Sequence, residues 1–345
     1  MLISHQTTPV FQHLKHLITD PDEFDDALSG GSLKVDVLGA QSLPARVEQF
    51  QSSKWTLDFG EVHVKARARG ALPPGWASLG FMRGRGPSIW HGMPAETGTL
   101  MCNPPGGDGP DGHVTPGFTW SAIGVPTSLW ESCQALAGAE VNCRTPNKVE
   151  RWQLPAPLFA LLDRQLRQTQ HLLQSALAKP ELVSFAERAA VDFVTNIATH
   201  AWEMTLRDHP LRISFRNRAY LARRAENWMR DRMGQPIRIP DVCLALRVSR
   251  RELEYAFRST FDTSPREFLH KLRLNAIRRV LHRTDPTNSI IQVAFDHGIT
   301  HLSRFAADYR ALFGEKPSDT FRARGLDSTP ARTPLYLPSS ISAPP

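Results

Sequence analysis

Within VSRRELEYAFRSTF, five side chains have the types and spacing best suited to chemistry: Ser249, Arg250, Arg251, Glu254 and Arg258. Guanidinium forks and a carboxylate one helical turn apart can read base edges and neutralise phosphates. That requires a helix, and the sequence provides one. Ser249 with Glu252 three residues later is a capping box. Leu253, Ala256, Phe257 and Thr260 then fall on one side, and Arg251, Glu254, Tyr255 and Arg258 on the other, with Arg250 at its edge. Upstream, PDVCLALR sets Val242, Leu246, Cys243 and Ala245 on a short helix that only Arg247 and Val248 separate from the capped one. Two short helices, a tight turn and a basic outward face make a helix-turn-helix. On this stretch alone, a solvated helix that merely carries arginines looks the same.

The pattern occurs twice. In SIIQVAFDHGITHLSRFAADYRALF, Ile290, Ile291, Val293 and Ala294 form a first helix, and Gly298 supplies the left-handed residue that ends it. Leu302, Phe305, Ala306, Tyr309 and Phe313 give the core stripe of a second helix. Its outward side presents Thr300, Arg304, Ala307 and Ala311, with His301 and Ser303 at its edges. That face holds one strong cation, and Asp308 is expected to repel any phosphate it approaches. Between the units, Ser264, Pro265 and Glu267 start a helix that runs through SPREFLHKLRLNAIRRVLHRTD, with Phe268, Leu272, Ala276, Ile277, Val280 and Leu281 as its buried side. At roughly twenty residues it spans about 30 Å, close to the ~34 Å pitch of DNA.

At this point VSRRELEYAFRSTFDTSPREFLHKLRLNAIRRVL and FGEKPSDTF resemble the DNA-binding domain of AraC/XylS-type bacterial transcriptional regulators, over about residues 217–323. WMRDRMGQPIRIPDVCLALRVSRRELEYAF and HLSRFAADYRALFGEKPS look closest to the ethanolamine-utilisation regulators of that family. Three positions depart from the pattern. Arg247 stands where the family often has glycine, which implies either a strained residue there or a different turn. Ile299 replaces a usual aromatic, and Ala307 and Asp308 replace a usual basic residue.

Composition agrees. Of the formal net charge of +7, residues 216–324 carry 22 Lys+Arg against 12 Asp+Glu, or +10, and the remainder 19 against 22, or −3. A basic domain joined to a mildly acidic one points to nucleic acid for the first. Cys102, Cys133, Cys143 and Cys243 lack CxxC spacing, so neither a zinc site nor a disulfide framework is favoured. No apolar run approaches ~18 residues and no signal peptide is evident, so the expectation is a reduced, cytoplasmic protein without membrane contact.

The elements that must position these groups follow. Residues 1–31 are expected to be loosely ordered or one short helix. From Ser32 to about Pro126, LKVDVL, WTLDFGEVHVKARA, WASLGFMR, SIWHGM, GTLMCNP and PGFTWSAIGVP read as short strands with glycine turns, which indicates a sandwich or barrel. The resemblance implies a cupin- or jelly-roll-like sensor here. LFALLDRQLRQTQHLLQSAL and VSFAERAAVDFVTNIATHAWEMTL read as two helices broken at Lys179-Pro180. The first carries a leucine side of Leu158, Leu161, Leu162, Leu166, Leu172, Leu173 and Leu177, which packs on the sandwich or, as the resemblance implies, pairs two subunits. The division is therefore a sensor/dimerisation domain over 32–206, a linker over 207–216, an all-α domain of two helix-turn-helix units joined by a long helix over 217–324, and a disordered tail over 325–345. The fold class is multidomain α+β.

A catalytic front half would need clustered ligands. His63, His91 and His113 are scattered, Lys65 stands where an HxH pair would need its second histidine, and no metal or cofactor is expected. DGHVTPG approximates the DxHxxG pattern of cobalamin sites, but Pro116 occupies the required glycine, so the match reads as coincidence in a glycine-rich loop. Among many large aromatics, Trp90 and His91 are the candidate ligand contacts. The reading is a sequence-specific transcriptional regulator, a ligand-responsive activator of a metabolic operon. Its partners are double-stranded DNA, RNA polymerase, a small-molecule effector of unknown identity and, as a possibility, a second copy. The alternatives are a metabolite-binding cupin-type enzyme with a basic C-terminal domain and a nonspecific nucleoid protein.

Overall fold

Alternation in the front half resolves into two antiparallel sheets packed face to face in the computed structural model, which describes residues 11–25, 27, 31–40, 44–84, 88–107, 109–137, 149–206, 213–283, 289–299 and 302–323. In spatial order the larger sheet holds β1 (Gln12–Ile18), β3 (Ala45–Gln51), β4 (Thr56–Val62), β11 (Phe118–Pro126), β6 (Trp76–Arg83), β9 (Thr99–Asn103) and β12 (Glu150–Gln153). The smaller holds β2 (Ser32–Val37), β5 (Ala66–Ala71), β10 (Asp111–Val114), β7 (Ser88–Trp90) and β8 (Met93–Ala95). Val47, Val62, Met82 and Phe118 meet Val35, Ala66, Ala68 and Val114 between the sheets. On the other side of the larger sheet Leu57, Leu79, Phe81, Ile123 and Val125 pack on α1 (Thr127–Leu136), α2 (Ala156–Ala178) and α3 (Val183–Leu206). Leu162, Leu166 and Leu173 of the leucine side are buried there, whereas Leu161 and Leu177 are exposed.

Two glycines are set by aromatic rings. A Cβ on Gly60 would lie 2.0 Å from the Trp120 ring, and one on Gly112 2.6 Å from Trp90. The DGHV segment is thus a strand whose glycine admits a tryptophan, not a loop. The expectation of a loosely ordered start is also corrected. Gln12–Ile18 is an edge strand paired to β3, and Pro21–Phe24 is a 3-10 turn closed by an Asp20–Glu23 capping box. Leu14 and Leu17 of β1 are exposed and Ile18 is buried, so the strand lacks the alternation that reveals one. β3, β12 and α1 were likewise not anticipated.

Helix α4 (Ile213–Arg230) begins inside the segment assigned to the linker. It is followed by α5 (Ile239–Leu246), α6 (Arg250–Phe261), α7 (Pro265–Arg283), α8 (Ile290–Asp296), α9 (Leu302–Phe313) and α10 (Pro317–Ala323). The assigned tail lies outside the described residues. Phe257, Phe261 and Phe268 form the centre of the first helical core. Phe305, Tyr309 and Leu312 are buried in the second; Ala306, expected in that stripe, is exposed, because spacing by four and then three selects Leu312. Among the described residues no helix is long and apolar enough to cross a membrane.

The outer face of the smaller sheet docks on α4, α6 and α7 through buried charge. Arg67 is 1% exposed and donates to Glu226 at 2.8 and 3.1 Å and to the carbonyls of Ala68 and Gly112. It also pairs with Asp111 at 2.6 Å and stacks over Phe261. Arg230 bridges Glu226 and Asp36, and Arg279 reaches Asp36 and Asp22. Burial alone would raise the carboxyl of Asp36, but Arg230 and Arg279 hold it down to about 2. Asn275, midway along α7, accepts from the Val37 amide and donates to its carbonyl, both at 2.9 Å.

Removing one partner from such a network leaves an uncompensated buried charge. Glu226→Ala is expected to lower unfolding free energy by about 3–5 kcal/mol, checked by urea denaturation; a loss below ~1 kcal/mol would contradict it. Asp58, 6% exposed inside the sandwich, makes a second forecast. Burial pushes its carboxyl up to about 7, against a hydrogen bond from Gln49. The fold therefore favours the neutral acid, a contribution fully present below the unfolded value near 4 and lost as pH rises through 7. Asp58→Asn should remove that pH dependence in melts between pH 4 and 8.

Candidate nucleic-acid interface

Chain geometry, from the turn outward, makes the first helix pair. Arg247 ends α5 in the left-handed region at φ 54°, ψ 48°, as its place in a glycine-type turn implies. Its amide is satisfied by the Leu244 carbonyl at 3.2 Å. Ser249 then caps α6. Its hydroxyl accepts from the Glu252 amide at 3.2 Å, and the Glu252 carboxylate accepts from the Ser249 amide at 2.8 Å. Those hydrogen bonds hold Glu252 below its ordinary pKa. Ser249 is committed to the cap, which anchors the N-terminus of α6.

Beyond the cap, Leu253, Ala256, Phe257 and Thr260 are all buried. Arg250, Arg251 and Arg258 are exposed and Glu254 half-buried, and none makes an ion pair among the described residues. Three cations with free donors on one face suit phosphates and guanine edges. Two features of this face escaped the sequence reading. Tyr255 faces outward as expected, 60% exposed, but the Arg218 guanidinium from α4 lies 4.6 Å from its ring centroid. A contact between residues on different helices leaves no signal in local spacing. At the other end, Asp262 terminates α6 at φ 49°, and Lys65 of the front domain bonds its carboxylate at 2.7 Å.

Helix α7 follows without interruption for 19 residues, about 28 Å at the helical rise. It leads to α8, whose Ser289 hydroxyl accepts from the Ile291 amide at 3.3 Å. Gly298, at φ 73°, leaves it. On α9, Ser303, Arg304, Ala307 and Ala311 are exposed; Thr300 and His301 lie outside the described residues. Asp308, expected to repel any phosphate it approached, is half-buried and already paired. Its carboxylate meets the His270 ring of α7 at 3.0 Å, because an acid beside the spacer helix finds a partner there.

Of the other candidate residues, Trp90 and His91 follow one another at the end of β7, beside His113 on the paired strand β10. Trp90 is half-buried in the sandwich and stacks on Phe118 at 6.0 Å. His91 sits at φ 48° in the turn before β8, its amide bonded to the Asp111 carbonyl at 2.6 Å. His63 pairs with Glu61, and burial with Lys65 nearby takes His113 down to about 3. A cleft of about 580 Å³ lies elsewhere, on the larger sheet beside α2, and is lined by Arg46, Glu48, Phe59, Arg83 and Arg167 among others.

Residues 242–323 match the family model described as a helix-turn-helix domain, a span covering α5 to α10. The XylDLEGF operon transcriptional activator of Pseudomonas putida is 41% identical over 78 residues, 22% of this chain and 24% of that protein. The XylDLEGF operon transcriptional activator 3 of the same species is 33% identical over 133 residues, 38% and 39% of the two chains. A solved AraC-type regulator from Chromobacterium violaceum is 28% identical, with a TM-score of 0.30, covering 31% of this chain and 95% of its own. The chain thus spans about a quarter to two-fifths of the length of these curated relatives.

The turn allows a direct forecast. A non-glycine residue in the left-handed region costs roughly 1–2 kcal/mol, and glycine removes that cost at some entropic loss. Arg247→Gly is expected to stabilise the protein by up to ~1 kcal/mol, read as a higher melting temperature. A lower one would show that the Arg247 side chain contributes more than its backbone strain costs.

Proposed function

We propose that this protein is a sequence-specific DNA-binding transcriptional regulator of the AraC/XylS type, a ligand-responsive activator of a metabolic operon. The carrying observation is the continuous helix α7. It joins two helix pairs, α5–α6 and α8–α9, by one stiff element about 28 Å long, a length near the ~34 Å pitch that separates successive major grooves on one side of DNA. Both pairs act as helix-turn-helix units, with α6 and α9 entering the grooves. Arg251 and Glu254 meet base edges, Arg250 and Arg258 meet phosphates, and Ser249 fixes the start of α6. On the second unit Ser303 and Arg304, with Thr300 and His301, make the weaker contacts.

The front domain (32–206) is a cupin- or jelly-roll-type sensor and dimerisation module, and residues 217–324 form the DNA-binding domain. An effector bound near Trp90 and His91 would disturb β7, β10 and the Arg67–Asp111 pair, which grips the helical domain. That changes how the two recognition helices are presented, and so promoter occupancy and contact with RNA polymerase. The protein acts in the cytoplasm. The likeness to ethanolamine-utilisation regulators rests on WMRDRMGQPIRIPDVCLALRVSRRELEYAF and HLSRFAADYRALFGEKPS.

The test is selection of binding sites from random DNA, followed by titration of variants. Arg251→Ala is expected to cost about 1–3 kcal/mol at the selected site and to relax preference at one base pair. Arg304→Ala should cost less, because α9 offers a poorer face. Unchanged preference at every position for Arg251→Ala would sink the assignment of α6. Wild-type binding that unrelated DNA competes away would favour a nonspecific nucleoid role.

A further inference from the structure

Helix α4 turns three of its arginines to two different tasks. Arg223 and Arg230 turn towards the front domain, where they meet Asp111 at 2.6 Å and the Asp36 carboxylate respectively. Arg218 goes the other way, onto the exposed face of α6. Its guanidinium stacks on Tyr255, and it makes no ion pair among the described residues. Tyr255 is one turn from both Arg251 and Arg258, so Arg218 extends that basic face sideways by one side chain. The position is fixed, since Ala222, Ala225 and Met229 of α4 pack with Leu253, Ala256 and Phe257 of α6 in one core.

We propose that Arg218 and Tyr255 form an additional phosphate-binding site, which clamps the DNA backbone at the flank of the sequence read by α6. This rests on the reading of α6 as a recognition helix. Stacking covers one face of the guanidinium and leaves its N–H edge free for two parallel bonds to a phosphate. The ring holds the arginine in place before DNA arrives, which reduces the ordering entropy lost on binding. The Tyr255 hydroxyl can donate to a neighbouring phosphate oxygen. Neither group reaches a base edge in this role, so the site adds affinity and salt dependence without sequence preference.

The experiment uses full-length protein and a duplex it selects from random DNA, with binding titrated between 50 and 200 mM salt, the range over which phosphate contacts show. Arg218→Ala is expected to weaken binding about tenfold and to flatten the plot of log K against log salt by about one, with every base preference unchanged. Tyr255→Ala, which removes the platform, should give the same loss, and Tyr255→Phe, which keeps the ring, a smaller one. Arg224, stacked on Tyr220 of the same helix, is the control, and Arg224→Ala should leave the slope as it is. Phosphate ethylation should reveal one flanking phosphate that matters to the wild type and not to Arg218→Ala. A wild-type slope for Arg218→Ala, an equal loss from Arg224→Ala, or a changed base preference would overturn the clamp while leaving α6 as reader. A wild type with no preferred sequence would overturn the reading of α6 and the clamp with it.

Discussion

A guanidinium fully removed from water dictates much of this molecule. Arg67 projects from the start of β5 into the boundary with α4, where Glu226, Asp111 and two carbonyls surround it. Desolvating such groups costs several kcal/mol per ion, returned only when every donor is met. The sheet and the helical domain must therefore meet in one register, because a shift of one residue would leave a charge unpaired. Apolar docking would tolerate sliding, whereas this boundary does not. The interaction specifies an arrangement more than it adds net stability.

The same boundary reassigns the charge that composition reveals. The surplus of positive residues in 216–324 reads as a footprint for nucleic acid, yet Arg230, Arg278 and Arg279 spend their charge on Asp20, Asp22 and Asp36 of the front domain. Part of the basic excess is thus internal complementarity between domains. The cations left on the open surface of α6, Arg250, Arg251 and Arg258, are the ones local periodicity picked out.

What the sequence made legible was what local rules decide. The capping box of Ser249 and Glu252, the buried stripe of α6 and the start of α7 at Ser264-Pro265 all depend on residues within one or two turns. Strands β2, β4 and β5 carried enough alternation to be seen, and β6, β9 and β11 read as apolar stretches between glycine turns. β1 did not, since its partner β3 holds it in place and its leucines face water. β10 looked like a loop because Gly112 is there for Trp90, a residue 22 positions away. Asp308 and Tyr255 were placed on the right helices, but His270 and Arg218, which decide what they do, come from other elements. Long-range pairing, not propensity, set the limit.

Among the described residues, strand β2 lies at the border of the smaller sheet, with β5 as its one strand neighbour. Four of its outward polar groups are met by side chains: the Leu33 amide by Asp25, the Val35 carbonyl by Arg279, and both groups of Val37 by Asn275. Helix α7 thus serves as a cover for an open ladder as well as a spacer. Were the helical domain to swing away, β2 would be bared as a template for another chain's backbone, the usual route to aggregation or exchange of strands between copies. Any motion that frees the recognition helices from the sensor is therefore tied to solubility, and a long-lived open form would need a new cover for that edge.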